Sequence, residues 1–276
     1  MSRLSPDRLL VSLAPDSVAL VRVAGRLRSR IVDKTTVECD PGFGAAPWQG
    51  AVAALESAIA PLRAERVDAT VVLSNHFVRY AIVKPDATLA GEEEALGHAR
   101  FHLTRIYGER ARGWDLRLSP ARGGAPRLAS ALDPGLVPAI AACFPRGAKA
   151  RLVSVQPYLM AAFNRWRAEL ARDEGWLLLV EPQRACLALI AKGRWAAVQT
   201  LRGEYPALED WAALLDRERL RADAEADSHV AHVVAPASGR AITHEVQGWK
   251  LLGLHLPALE GFVAREDARF AMALTA

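Results

Sequence analysis

Ser74-Asn75-His76 places a hydroxyl, an amide and an imidazole directly after the apolar run Ala69–Leu73 (ATVVL). Catalytic groups often sit at such strand ends, and a hydroxyl and an imidazole can serve nucleophilic or acid–base chemistry. The same side chains can instead hydrogen-bond the backbone of a turn between two strands, and that is the reading we take. His98 and His102 are one helical turn apart, a spacing that can set two metal ligands on one helix face. Glu94 lies one turn earlier, but there is no HExxH and no third clustered acid, so the pair reads as solvated helix histidines. His229, His232 and His244 are scattered around a strand-like segment, where edge or core positions explain them more simply. Cys39, Cys143 and Cys186 are odd in number, far apart and without a CxxC pair, which argues against a disulfide framework or a zinc site and for a reducing compartment. Cys186 falls inside a predicted strand and lacks the basic surroundings of a nucleophile. No GxSxG elbow and no GKS or GKT phosphate loop occurs.

The composition narrows the class further. The chain has 276 residues, 51% hydrophobic and 24% charged, which excludes a disordered or collagen-like protein. A chain of this size buries roughly 73% of its unfolded surface, in one large domain or two lobes. Thirty-five Lys and Arg against 31 Asp and Glu leave a net charge of +4. The arginines are spread along the whole sequence, as Arg3, Arg63, Arg122, Arg202 and Arg269 illustrate, rather than gathered with aromatics into a nucleic-acid patch. No segment approaches the ~18 consecutive apolar residues of a membrane span. Arg3, Asp7 and Arg8 interrupt the N-terminal region where a signal peptide would be apolar. The expectation is a cytoplasmic chain that binds no nucleic acid and reaches a membrane through a partner.

These residues must be positioned by a repeated pattern of elements. Arg8–Ala14, Ser17–Ala24 and Arg30–Val37 read as a three-strand meander, the first pair split by Pro15-Asp16. A helix over Trp48–Arg63 follows, with Val52, Leu55, Ile59 and Leu62 at helical spacing, and then a buried strand at Ala69–Leu73. Phe77–Val83 reads as a strand and Glu92–Tyr107 as a helix with an acidic start. Arg112–Pro126 reads as loop or edge strand, Gly135–Phe144 as a helix, Leu152–Val155 as a strand and Pro157–Arg172 as a helix. The opening pattern then returns: strands at Trp176–Glu181, Arg184–Ala191 and Arg194–Leu201, a helix at Leu208–Arg221 and a strand at Val230–Ala235, with a helix or mixed segment to the end. A meander followed by a crossover helix and a parallel strand makes a mixed sheet covered by helices. Two such units predict two similar lobes: residues 1–155, a connecting helix over 156–175, and residues 176–276. Glu204–Arg221 has an apolar stripe of Leu208, Trp211, Ala212 and Leu215 that fits a sheet-covering helix.

This arrangement resembles the actin-like superfamily of sugar kinases, heat-shock chaperones and actin. LSNHFVRYAIV (Leu73–Val83) and VSVQPYLMAAFNRW (Val153–Trp166) further resemble the actin-like proteins of type IV pilus and type II secretion machines, of the PilM, GspL cytoplasmic-domain and MshI types. The resemblance implies an α/β fold of two RNase H-like lobes, each with a mixed five-stranded sheet covered by helices. It implies ATP between the lobes, held by a turn after the first strand of each, where backbone N–H groups approach phosphate and an acid holds Mg²⁺ or its water. The first turn is Ser12-Leu13-Ala14-Pro15-Asp16-Ser17 and the second Val180-Glu181-Pro182-Gln183-Arg184. Asp16, Ser17, Glu181 and Gln183 are therefore the nucleotide-binding candidates. Pro15 removes an N–H donor, Pro182 stands where glycine is wanted, and Ala235–Arg240 (APASGR) is a poor adenosine loop. The expectation is a degenerate cleft with no cofactor, no resident metal and no catalytic residue. The family then implies a scaffold that docks an inner-membrane assembly protein with a short cytoplasmic segment, with self-association left open. The alternative is an active ATPase or phosphotransferase using ATP and Mg²⁺ at Asp16 and Glu181.

Overall fold

Short runs of Leu, Val and Ala that are apolar at every position, such as LLVSL, VALV, WLLLV and ACLALI, fit strands buried on both faces better than half-exposed ones. The computed structural model describes residues 6–25, 29–42, 46–85, 91–120, 124–172, 174–222, 228–235, 243–256 and 259–276, and these runs form the centres of two sheets. In the first, β1 (Asp7–Leu13), β2 (Ser17–Ala24) and β3 (Arg30–Glu38) make the meander. Helix α1 (Gln49–Ile59), continued by a 3₁₀ turn at Ala60–Leu62, then leads into β4 (Val67–Leu73), which lies parallel to β1. Strand β5 (Val78–Val83), helix α2 (Glu92–Tyr107), β6 (Asp115–Leu118), β7 (Arg127–Leu132) and α3 (Leu136–Ala142) follow, before β8 (Arg151–Pro157) completes the order β3-β2-β1-β4-β8. Strands β5, β7 and β6 form a separate antiparallel sheet, so the segment read as loop or edge strand supplies the edge strand β6. The partner strand β7 was missing from the sequence reading.

The helix expected over Pro157–Arg172 is broken. Helix α4 (Tyr158–Arg165) ends at Trp166, whose φ of −107° and ψ of 24° leave the helical region, and α5 (Arg167–Leu170) resumes for one turn. The Trp166 indole Nε1 donates to the carbonyl of His255 at 3.1 Å, tying this break to a segment 89 residues away.

The second unit repeats the first. Strands β9 (Gly175–Glu181), β10 (Arg184–Ala191) and β11 (Arg194–Arg202) form a meander, α6 (Leu208–Arg221) crosses over, and β12 (Val230–Val234) lies parallel to β9. Lys192 and Gly193 both have positive φ (51° and 68°), the conformation that a two-residue hairpin loop requires. Two further strands, β13 (Thr243–Val246) and β14 (Trp249–Gly253), bring this sheet to six, in the order β11-β10-β9-β12-β14-β13, one more than the five expected. The mixed segment at the chain end begins with this antiparallel pair, because β14 can extend the parallel edge left by β12.

Alternation along β9 and β10 shows why these strands are apolar throughout. Trp176 and Leu178, with Leu187 and Leu189, face α6 and pack on Trp211, Ala212, Leu214 and Leu215. Leu177 and Leu179, with Cys186, Ala188 and Ile190, face the other way and join a core shared with β1, β4, α1 and α4. The two halves of the chain thus share buried surface, and Phe163 meets Trp195 across the junction with ring centroids 4.5 Å apart. The chain then turns back. Leu10, Ala19, Val21 and Val23, on one face of the first sheet, are covered by Phe270, Ala273 and Leu274. The segment 259–276 therefore packs on the first sheet. Lys34 Nζ secures this return through Asp267, 2.7 Å from both carboxylate oxygens.

Candidate functional site: the junction of the two turns

The end of β4 and the hairpin between β9 and β10 come from opposite halves of the chain and meet here. Backbone bonding carries the β-sheet pairing one residue beyond β4: the Ser74 amide donates to the Leu13 carbonyl at 2.9 Å. The chain then turns, closed by the Phe77 amide on the Ser74 carbonyl at 3.0 Å. Ser74 and Asn75 are fully buried. A buried hydroxyl and amide need partners, and both find the same one. Ser74 Oγ donates to Glu181 Oε2, while the Asn75 side chain and backbone amide donate to Glu181 Oε1 at 2.7 Å and 3.2 Å. Tyr80, buried on β5, fixes the orientation of Asn75 by donating from its hydroxyl to Oδ1 at 2.8 Å. With Oδ1 accepting, the NH₂ group of Asn75 points at the carboxylate.

His76 completes the contact. Its Nε2 lies 2.9 Å from the carbonyl oxygen of Pro182. A carbonyl only accepts, so Nε2 carries the proton. Burial, and then the charge of Arg184, hold the imidazole below its ordinary pKa, which keeps it neutral. Burial likewise pushes the Glu181 carboxyl above the usual Glu range, against the hydrogen bonds from Ser74 and Asn75 and the charge of Arg184. The Cys186 thiol, on the next inward-facing position of β10, is buried and pushed up by its desolvation and by Glu181, so it is a poor nucleophile.

The four nucleotide candidates are distributed unequally. Glu181 is engaged by three donors from the other half of the chain. Asp16 is exposed at the turn between β1 and β2, with Ser17 Oγ donating to its Oδ1 at 3.1 Å. Gln183 is exposed with a φ of 55°, the left-handed conformation for which a glycine is preferred after Pro182. His76 stands within electrostatic reach of Asp16 while bonded to Pro182. The second acidic turn is thus bonded to the end of β4 through Ser74, Asn75 and His76. Residues 236–240 of the adenosine-loop candidate lie outside the described residues.

The remaining sequence candidates do not converge. His98 and His102 lie on α2, where burial and the neighbouring His98 and Arg105 hold His102 below its ordinary pKa. His229 packs on Trp249, His232 is buried in β12 and His244 is exposed on β13. Among the described residues, no group of three or more His, Cys, Asp or Glu is placed to hold a metal ion. Reading Ser74-Asn75-His76 as a turn agrees with its structure, but its engagement of Glu181 escaped the sequence. The one available signal was a polar triplet following a strand with no exposed position nearby.

No family model and no curated protein matches this sequence. Solved structures do match. The PilM–PilN type IV pilus biogenesis complex superposes with a TM-score of 0.68 at 18% identity, over 97% of this chain and 96% of the other. The cytoplasmic domain of EpsL, an inner-membrane component of the type II secretion system of Vibrio cholerae, gives 0.58 at 12% identity, over 98% and 95%. A Bacteroides thetaiotaomicron protein of unknown function with an actin-like ATPase fold gives 0.55 at 10% identity, over 84% and 83%. Two meander–helix–strand units sharing one core, matched along nearly their full length by these structures, establish that the chain has the actin-like fold.

Proposed function

We propose that this protein is a non-catalytic actin-like scaffold of a type IV pilus or type II secretion-like assembly machine. In this reading it works in the cytoplasm and docks an inner-membrane partner through that partner's short cytoplasmic segment. The observation that carries the non-catalytic part is the use of Glu181. A phosphate turn would offer this acid to Mg²⁺ or its water, and here it accepts hydrogen bonds from Ser74 and Asn75. Freeing it would leave two buried polar groups unpaired, at about 1–3 kcal/mol each. Pro15 and Pro182 each remove a backbone donor from the same place. The assembly role is supported by the likeness to the PilM–PilN complex and the EpsL cytoplasmic domain. No described helix is long and apolar enough to cross a membrane; attachment through a partner is part of this reading.

Isothermal titration with ATP and Mg²⁺ tests the first part: no heat of binding at micromolar nucleotide is expected, and no phosphate release. Micromolar, Mg²⁺-dependent binding would overturn it, as would turnover abolished by Asp16→Ala or Glu181→Ala. For the second part, deleting the gene in its host should abolish pilus assembly or secretion, and an Asp16→Ala copy should restore it. Normal assembly after deletion sinks the scaffold reading.

A further inference from the structure

A second feature borders the junction and is not used by the scaffold reading. Arg184 opens β10, where it sits opposite Glu181 of β9 on one side and opposite Arg202 of β11 on the other. Directly opposed residues of antiparallel strands project to the same face, and like charges there repel. Arg184 is only 6% exposed, and its Nε is buried with no hydrogen-bond partner among the described residues. Strand β5, which carries Arg79, packs against β11 from the other half of the chain. Arg79 Nη1 donates to the carbonyls of His76 and Val78 at 3.0 Å and 2.9 Å. Burial first, and then the charge of Arg202, hold both Arg79 and Arg184 below the ordinary guanidinium pKa, and the charge of Arg79 adds to this at Arg184. Arg110 adds to the positive field at Arg79.

The acid opposite Arg184 is Glu181, and its oxygens are engaged by Ser74 and Asn75. Three guanidinium groups against one carboxylate leave two positive charges uncompensated in a partly desolvated place. A buried cation without counter-charge is costly, and such a cluster persists where an anion completes it. We propose that Arg79, Arg184 and Arg202 form a binding site for a phosphate group, with Arg184 as its buried anchor. The dianion of phosphate matches the excess of two, whereas one carboxylate would leave a charge over. Guanidinium forks suit phosphate oxygens because they donate in parallel pairs. The phosphate is either free or the terminal group of a small ligand.

Phosphorus NMR and isothermal titration with inorganic phosphate, in a buffer free of phosphate and sulfate, test the site. Saturable binding and a rise in Tm are expected, weakened at least tenfold by Arg202→Gln and by Arg79→Gln. Arg202 is exposed, so its variant is expected to fold even if an Arg184→Gln protein does not. Acetate, as the carboxylate probe, should bind at least tenfold more weakly than phosphate. The proposal is overturned if folded wild-type protein shows no saturable binding, if both variants bind as wild type does, or if acetate competes equally. An Asp16→Ala variant separates this site from a nucleotide site. Phosphate binding that needs no Mg²⁺ and is retained in the variant supports the arginine site; phosphate binding that requires Mg²⁺ and is lost in Asp16→Ala assigns the anion to the nucleotide turns and removes the proposal.

Discussion

Glu181 lies where donors from the other half of the chain converge, and its charge state is set by that geometry. Water is replaced by one hydroxyl and one side-chain amide, with a longer bond from a backbone amide. Desolvation prevails, so the folded-state pKa lies above the ordinary 4.5. The sign follows from proton binding: between those two values the folded state holds more proton than the unfolded one. The contribution of Glu181 to stability is therefore fully present below the unfolded pKa and is lost as pH rises through the raised folded value. Gln at this position can still accept from Asn75 through its oxygen and donate to Ser74 Oγ, but it does not titrate. Relative to wild type, Glu181→Gln should gain stability with rising pH across this window and then level off. Urea denaturation at stepped pH measures the difference, and a flat difference would show that desolvation does not outweigh the hydrogen bonds to Glu181. The sequence marked this acid as a candidate through the turn it occupies. It did not reveal the partner, because Ser74 and Asn75 are more than a hundred positions away.

Elements in this fold are set by pairing as much as by propensity. Strand β9 is central in its sheet, with β10 on one side and β12 on the other, and it begins at Gly175. A Cβ added there would stand 2.4 Å from the carbonyl oxygen of Val230, closer than packed atoms allow. Glycine is needed here for close approach of β12 rather than for an unusual φ. Gly175→Ala should destabilise the protein by about 1–3 kcal/mol through displacement of that strand. Gly113, where an added Cβ meets nothing within 4 Å, is the control: its Ala variant should lie within about 0.5 kcal/mol of wild type. Chemical denaturation of the two variants decides, and equal stability would refute the close-approach argument. Unbroken apolar runs made β1, β2, β9 and β10 readable along the chain. Strand β7 and the β13–β14 pair were less visible, because their short runs gain meaning only from a sheet edge supplied elsewhere.

The whole molecule is held by a chain end that crosses back. Phe270, Ala273 and Leu274 cover Leu10, Ala19, Val21 and Val23, a face that would otherwise be an apolar patch on the first sheet. Lys34 and the Val263 amide hold the Asp267 carboxyl below its usual range although burial acts to raise it. Phe270→Ala should cost about 3–5 kcal/mol by opening a cavity over β1 and β2. The same variant should bind the dye ANS at temperatures where wild type does not. If its Tm equals that of wild type, the C-terminal segment is not part of the first lobe's core.

What the sequence by itself determined was local. Strand and helix periods, the proline at each acidic turn and the duplicated meander were all readable, since each depends on residues within about twenty positions. They sufficed for a two-unit α/β chain and for its resemblance to actin-like proteins. Only the tertiary structure decided that Glu181 is bound by Ser74 and Asn75, and that the chain end packs on the first sheet. The physical reason is common to both. A buried charge or an apolar face has no stable state until a distant segment satisfies it, and which segment does so is a property of the folded chain.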